Sequence, residues 1–348
     1  MSTSSSATGD LSLIGPASSG SMIQKKANGM SIVEISDSST GSRAFIAVNA
    51  GFNCYSFVAR QGAEELDVIA AEEGFEDGTR PPSHNGIPIL FPFPNRIRSG
   101  RFTWDGTEYE LPESVVSYDG SGNAIHGFCL DKPWRVEEQS ESSVTGVFRL
   151  SVDAEDRSGL WPTDAELKVC YELKGTTLHC EFTVLNPDTK PMPWGLGTHS
   201  YFRLPLSATA SADECTVFAP VEKSRELIDC LPTGATGEIA TECDLSQSPN
   251  YGSLKLDNAF SGLSTGSDGL VETYVAEPSS GRKVIQRFSA DFQELVAFTP
   301  PWTAAVCLEP YTCATDAINL HQQGIEAGLK ILPPNETWTG TIDIEAVM

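Results

Sequence analysis

Two histidines and one glutamate lie in apolar, turn-rich segments. A polar or charged side chain buried in such a segment is costly unless it has a partner or a function. His199 lies in WGLGTHSYFRLP after Gly195 and Gly197, which permit unusual φ values or the close approach of a ligand. His126 lies in NAIHGFCLDKPW, and Glu309 ends the apolar run AAVCLEP. An imidazole and a carboxylate suit general acid–base catalysis near neutral pH. From the residues alone, satisfied core histidines and a structural salt bridge remain open alternatives.

A stiff apolar segment ends in two more polar residues. The run GIPILFPFPNRIR contains three prolines and two phenylalanines before Asn95 and Arg96. A guanidinium group offers five N–H donors, which suit the hydroxyl oxygens of a neutral polyol. An arginine that closes a β-edge with a carboxylate is the structural alternative. Asp257, in KLDNAF, has no distinctive context, because aspartates in loops usually cap turns.

Composition excludes several classes of function. The 348 residues include 47 acidic and 23 basic ones, a net charge of −24. Such a field repels phosphate backbones and anionic lipids, so we expect neither a nucleic-acid nor a membrane partner. The motifs GxGxxG, GxxxxGK[ST], HExxH and GxSxG are missing, which removes the best support for dinucleotide, P-loop nucleotide, zincin and α/β-hydrolase chemistry. We therefore expect no metal site and no cofactor.

The cysteines and the N-terminus favour a cytoplasmic protein. Nine cysteines without a CxxC pair argue against a disulfide framework and favour a reducing compartment. The first 22 residues are rich in serine and lack both basic residues and an apolar stretch, unlike a secretory signal. We predict a flexible tail over residues 1–24 and a single domain over residues 25–348. The oligomeric state stays open.

Short β-type runs must position these residues. The runs form three predicted hairpins, Arg43–Val48 with Cys54–Ala59, Arg101–Trp104 with Thr107–Glu110, and Ala165–Leu173 with Thr177–Leu185. In the second hairpin Asp105-Gly106 is typical of a type I′ turn. Helical segments are limited to a turn or two near Ser211–Cys215 and Asp316–Gln323. The pattern predicts a mainly β protein, a large antiparallel sandwich or barrel with few short helices.

Several short motifs together resemble the aldose 1-epimerase (galactose mutarotase) family. The motifs are NRI at 95–97 with RFTWDGTEYELP after it, HGF at 126–128, GTHSYF at 197–202, CLEPYT at 307–312 and LPPNETW at 332–338. They occur in the family's order over roughly residues 25–348. The resemblance implies a galactose mutarotase-like supersandwich whose concave face binds a free hexose. It also implies interconversion of α and β anomers of galactose- or glucose-type sugars without a cofactor.

The resemblance also implies roles for individual residues. By position, His199 resembles the family's catalytic general acid and Glu309 its general base, acting in ring opening and reclosure. The residues that resemble the family's sugar-binding positions are Asn95, Arg96, His126 and Asp257. We expect a bell-shaped pH profile, with one limb from Glu309 deprotonation and the other from His199 losing its proton.

Two alternatives remain open. A hexose-6-phosphate 1-epimerase would share the fold and the chemistry, and its phosphate would need two or three cations near the mouth of the site. Arg98 and Arg101 near Arg96, together with Arg203 near His199, leave that possibility open. The other alternative is a carbohydrate-binding relative that has lost catalysis.

Overall fold

The structure is a computed structural model, and it describes residues 24–25 and 30–348. The predicted tail over residues 1–24 therefore lies outside the described residues, apart from Gln24. No helix in the described ranges is both long enough and apolar enough to cross a membrane.

Short strands make up most of the regular secondary structure of the described residues, as the β-type runs predict. In chain order the strands are β1 (Gln24–Lys25), β2 (Ser31–Ser36), β3 (Arg43–Ala47), β4 (Asn53–Gln61), β5 (Glu64–Asp67), β6 (Ile89–Leu90), β7 (Arg96–Ile97), β8 (Arg101–Trp104), β9 (Thr107–Glu110), β10 (Ala124–Ile125), β11 (Arg135–Gln139), β12 (Ser143–Arg149), β13 (Glu166–Lys174), β14 (Thr177–Leu185), β15 (Met192–Trp194), β16 (Gly197–Thr198), β17 (Ser200–Arg203), β18 (Thr216–Phe218), β19 (Lys223–Ile228), β20 (Leu231–Gly237), β21 (Asp257–Ser261), β22 (Leu270–Glu277), β23 (Arg282–Ser289), β24 (Glu294–Phe298), β25 (Ala305–Tyr311), β26 (Lys330–Leu332) and β27 (Thr337–Val347). The α-helices of the described residues are α1 (Leu150–Asp153) and α2 (Ala317–Gln322), and single 3-10 turns occupy several loops.

Three large antiparallel sheets contain most of these strands. The first has the order β1-β2-β3-β4-β5. The second, which we call the backing sheet, has the order β11-β12-β13-β14-β27-β23-β22-β18. The third, the site sheet, has the order β20-β19-β21-β24-β25-β16-β6, and β17 also pairs with β25. The predicted fold class, mainly β and antiparallel with few short helices, is confirmed.

All three predicted hairpins form. β3 pairs with β4, β8 with β9, and β13 with β14. The turn between β8 and β9 is the one its sequence predicts, because Asp105 and Gly106 have φ values of 46° and 75°. The predicted helical segments also hold single turns, a 3-10 turn at Ala212–Glu214 and helix α2.

Strand alternation divides β25 between two environments. Val306 and Leu308 enter the main hydrophobic core, which they share with Phe182 of the backing sheet. Successive side chains of a strand point to opposite faces, so Cys307 and Glu309 point away from that core. The chemistry of this strand therefore lies on the face of the site sheet that is turned away from the backing sheet.

A second pairing brings two polar segments together. β7 pairs with β10, so that Arg96 stands opposite Ile125. Just beyond this ladder, the His126 N–H donates to the Asn95 carbonyl over 2.8 Å. The stiff segment that ends in Asn95 and Arg96 is thereby fixed beside His126.

Gly127 makes the close approach of these segments possible. The Phe128 N–H donates to the Phe91 carbonyl over 2.7 Å. Gly127 has a φ of +75°, and a Cβ atom there would lie 2.3 Å from the Phe91 carbonyl oxygen. Only glycine avoids both the strained backbone and the clash.

Replacing Gly127 with alanine is expected to destabilise the protein more than replacing Gly122, which has a φ of +81° but open space at its Cβ position. Gly122→Ala meets only the left-handed backbone penalty, about 1–2 kcal/mol. Gly127→Ala adds the clash, which is expected to cost a further ~1–3 kcal/mol. Urea unfolding of both variants measures the difference. Equal losses of unfolding free energy would contradict the close approach to Phe91.

Candidate active site

A cavity of about 490 Å³ lies on the exposed face of the site sheet. All six residues that the sequence singles out line this cavity, namely Asn95, Arg96, His126, His199, Asp257 and Glu309. The fold therefore brings together side chains from widely separated parts of the chain.

His199 and Glu309 face each other because of the register between two strands. Ser200 of β17 stands opposite Leu308 of β25, so position 199 falls opposite position 309. Opposed residues of an antiparallel pair project side by side from the same face. The Nε2 atom of His199 lies 3.2 Å from Oε1 of Glu309. The two atoms are close without hydrogen-bond geometry, since Oε1 has no hydrogen-bond partner among the described residues.

Burial decides the protonation of this pair. His199 is 7% exposed and Glu309 is 1% exposed. Burial raises the pKa of Glu309 well above its usual value, although a hydrogen bond from Tyr311 opposes the rise. Burial lowers the pKa of His199 to about 3. Burial therefore favours the uncharged form of each group, a protonated Glu309 and an unprotonated His199.

Tyr311 positions Glu309, and a glycine makes room for it. The Tyr311 hydroxyl donates to Oε2 of Glu309. Gly197 stands opposite Tyr311, where a Cβ atom would lie 2.2 Å from the ring. A Cβ atom at Gly195 would lie 2.4 Å from the Cys313 sulfur. Neither glycine has a positive φ, and the missing Cβ atom of each makes room for a protein side chain.

Aromatic rings hold the imidazole of His199. Tyr201 stacks on it with a centroid distance of 4.7 Å and an interplanar angle of 13°. Phe298 meets it edge-on at 6.2 Å. The Tyr201 hydroxyl donates to the Ser83 carbonyl over 2.9 Å, which anchors the stacking ring. These contacts restrict the imidazole while leaving it in contact with the cavity.

Arg96 is held by Asp119, a residue that the sequence did not single out. The Arg96 Nε atom lies 2.6 Å from Asp119 Oδ2, and Nη1 donates to Asn95 Oδ1 over 2.9 Å. Burial acts to raise the pKa of Asp119, but hydrogen bonds from Asn123 and Arg96 outweigh it and lower the pKa to about 2. The Ser121 N–H donates to Asp119 Oδ1 over 2.9 Å, a local contact by which this aspartate also caps a turn. That local pattern contains no signal for the pairing with Arg96.

His126 and Asn95 adopt backbone conformations that are rare for residues with a side chain. Their φ values are 67° and 55°, in the left-handed region. Such strain costs about 1–3 kcal/mol per residue and is often found at functional sites. The His126 ring lies 5.6 Å from the His199 ring, nearly perpendicular to it. Removal from water, followed by the charges of His199 and Arg96, lowers the pKa of His126 well below its usual value.

The opposite wall carries Asp257 and an aromatic pair at the mouth. Asp257 begins β21 and is exposed, and the thiol of Cys230 donates to its Oδ2 over 3.6 Å. Trp302 is 40% exposed and stacks on His84 at 4.4 Å. His84 stands in an undistinguished proline-rich turn, so its sequence context carries no signal for a place in the cavity.

Comparison with proteins of known sequence points to one family. The model of the family described as aldose 1-epimerase matches residues 54–345. The uncharacterized protein YihR of Escherichia coli K12 is 27% identical over 242 residues, which cover 69% of this chain and 73% of YihR. The galactose mutarotase of Rattus norvegicus is 30% identical over 169 residues, which cover 45% of this chain and 44% of the rat protein.

Solved structures share the fold. A galactose mutarotase-like protein from Clostridium acetobutylicum superimposes with a TM-score of 0.81 at 23% identity, covering 94% of this chain and 99% of its own. A putative aldose 1-epimerase from Escherichia coli K12 gives 0.71 at 22% identity, covering 92% and 99%. At this identity the structures support the predicted galactose mutarotase-like architecture alone. Because the family model spans most of the chain, the chain belongs to the aldose 1-epimerase family.

Proposed function

We propose that this protein is an aldose 1-epimerase that interconverts the α and β anomers of a free hexose, with His199 and Glu309 as its acid–base pair. The observation that carries the proposal is the 3.2 Å approach of these two buried groups within one cavity. A pair that holds a single proton contains one group able to donate and one able to accept.

Mutarotation requires that combination. As the ring opens, the proton of the C1 hydroxyl leaves, the C1–O5 bond breaks, and the ring oxygen gains a proton. Rotation about C1–C2 and the reverse proton movements then close the ring on the other face. The enzyme pair gives up one proton and receives one in each half of the reaction, so it ends with the proton count it had at the start.

The resemblance assigns donation to His199 and abstraction to Glu309. That starting state differs from the one burial favours by the transfer of one proton between atoms 3.2 Å apart. Because ring closure reverses the two roles, each group must both hold and release a proton during one turnover. Positioned groups of this kind contribute about 10²–10⁴-fold each to the rate.

The remaining polar residues suit the binding of hydroxyl groups. Arg96 has five N–H donors, more than its contacts with Asp119 and Asn95 use. His126 is held neutral by its surroundings, so its ring offers both a donor and an acceptor. Asp257 supplies acceptor oxygens at the exposed wall. These groups support our proposal that Asn95, Arg96, His126 and Asp257 contact the sugar.

The charges favour an unphosphorylated sugar. Arg98, Arg101 and Arg203 do not line the cavity in the described structure. Each pairs with a carboxylate elsewhere: Arg98 with Asp316, Arg101 with Glu110, and Arg203 with Asp67. Within the cavity, Arg96, Asp119 and Asp257 sum to a formal charge of −1. A phosphate dianion entering this cavity would meet net repulsion, because an unpaired like charge at an interface costs several kcal/mol.

Replacing Glu309 with glutamine or His199 with asparagine is expected to slow mutarotation of α-galactose or α-glucose by about 10²–10⁴-fold while sugar binding persists. Polarimetry after dissolving the pure anomer measures the rate, and calorimetry measures binding. His321→Asn, an exposed histidine outside the cavity, is the matched control and should keep full activity. An intact protein that binds sugar without accelerating mutarotation would instead be a binding module.

The pH profile of kcat/KM should be broad, because the active state carries one proton on the pair. Activity should fall at acidic pH when His199 gains a proton, near its lowered pKa of about 3, and at alkaline pH when Glu309 loses its own. The expectation from the sequence is the opposite assignment, in which Glu309 deprotonation gives the acidic limb and His199 losing its proton gives the alkaline limb. Because the Tyr311 hydroxyl lowers the pKa of Glu309, Tyr311→Phe should move the alkaline limb to higher pH.

Tyr109→Phe, outside the cavity, is the control and should leave both limbs in place. Limbs at the ordinary values of 4.5 and 6.5 would show that the groups titrate as an exposed carboxyl and an exposed imidazole, against the proposal.

Glucose 6-phosphate should be converted at least about tenfold less efficiently than glucose, because of the negative cavity. Initial rates with each pure α-anomer give the ratio of kcat/KM values. Asp257→Asn removes one negative charge from the cavity. It should therefore reduce the preference for glucose over glucose 6-phosphate, even if it lowers kcat/KM for both sugars. A preference of the intact protein for the phosphorylated sugar would identify a hexose-6-phosphate 1-epimerase.

A further inference from the structure

Cys307 lies directly beside the acid–base pair and has no role in the proposed reaction. It stands two residues before Glu309 on the same face of β25, opposite Tyr201. Its side chain is fully buried. A ring nitrogen of His199, the Cys307 sulfur and a carboxylate oxygen of Glu309 all lie within 4.8 Å of one another. Three different donor atoms thus converge beneath the cavity.

Two polar atoms of the side chains that form this group lack partners among the described residues. Nδ1 of His199 and Oε1 of Glu309 make no hydrogen bond within the described part of the chain. Both side chains are more than nine-tenths buried. Buried polar atoms without partners are uncommon, and they call for an explanation such as a catalytic role or an ion.

We propose that His199, Cys307 and Glu309 form a binding site for a thiophilic divalent cation, with Zn²⁺ as the best match. We also propose that the bound cation inhibits mutarotation. Imidazole nitrogen, thiolate sulfur and carboxylate oxygen are the ligand atoms of protein zinc sites. Three protein ligands leave the fourth tetrahedral position open toward the cavity. Mg²⁺ and Ca²⁺ prefer sets made of oxygen atoms and fit this group poorly.

The geometry needs only small adjustments. Bonds of about 2.0–2.3 Å to zinc place ligand atoms roughly 3–4 Å apart, so side-chain shifts of about 1 Å are enough. The charges also match, because the thiolate of Cys307 and the carboxylate of Glu309 together neutralise a doubly charged ion. A net charge of −24 on the chain further attracts cations toward the protein.

Binding exchanges protons for the metal. A carboxyl group and a thiol bind a metal ion only in their deprotonated forms. Zinc therefore competes with protons for these ligands, and its affinity should rise with pH. The bound ion occupies both members of the acid–base pair, so it blocks sugar turnover. The inhibition rests on the proposed function, whereas the binding does not.

Titration calorimetry with ZnCl₂ tests the site directly. The intact protein should bind one Zn²⁺. Cys307→Ser should weaken binding by at least about tenfold. Cys230→Ser, which removes the half-exposed thiol beside Asp257, is the matched control and should bind as the intact protein does. MgCl₂ should give no saturable heat.

If Cys307→Ser binds Zn²⁺ as tightly as the intact protein, or if Cys230→Ser binds it more weakly, the proposed zinc site is refuted. If Cys307→Ser does not fold, Co²⁺ replaces Zn²⁺ in the intact protein; a thiolate-to-cobalt absorption band supports the site, and a spectrum without it counts against the site.

Polarimetry with Zn²⁺ separates the zinc site from the proposed function. Loss of mutarotation on zinc binding supports both proposals. Full activity with zinc bound to Cys307 would refute the inhibition and the catalytic roles of His199 and Glu309, while the proposal of a zinc site would stand.

Discussion

Antiparallel pairing of β17 with β25 places position 199 opposite position 309, and the close approach of His199 and Glu309 depends on that register. A slip of β25 by one residue would turn Glu309 toward the hydrophobic core, because successive residues of a strand face opposite sides. Leu308 prevents such a slip, since it is fully buried in the core and its carbonyl accepts a hydrogen bond from Gln286 of the backing sheet. Packing on one face of the strand thereby fixes the chemistry on the other.

The same pairing explains how a carboxyl group is tolerated in a buried position. Glu309 is almost inaccessible to solvent, and leaving it ionised there would be costly. The Tyr311 hydroxyl compensates partly, and Gly197 opposite Tyr311 supplies the space that the phenol ring needs. Burial then lowers the basicity of His199 and the acidity of Glu309, so one proton belongs to the pair. A surface pair would titrate independently and would hold no such shared proton at neutral pH.

The charged residues around the acid–base pair favour a neutral sugar over a phosphorylated one in the proposed site. Asp119 orients Arg96 and offsets its charge, while the other arginines near the site in sequence pair with carboxylates outside the cavity. A guanidinium balanced in this way still donates hydrogen bonds to hydroxyl groups, but it does not create a phosphate site. The overall acidity of the chain acts in the same direction, disfavouring anionic ligands and attracting cations.

The amino-acid sequence by itself determined the mainly β class and the hairpins, and its resemblance to the family pointed to six of the residues that line the cavity. Hydrophobic alternation and turn chemistry are local, so Asp105-Gly106 specifies its turn without help from distant residues. The tertiary structure alone decided the proton distribution between His199 and Glu309, the pairing of Asp119 with Arg96, and the position of Cys307 beside the pair. These properties depend on burial and on charges contributed by distant segments, which no local pattern encodes.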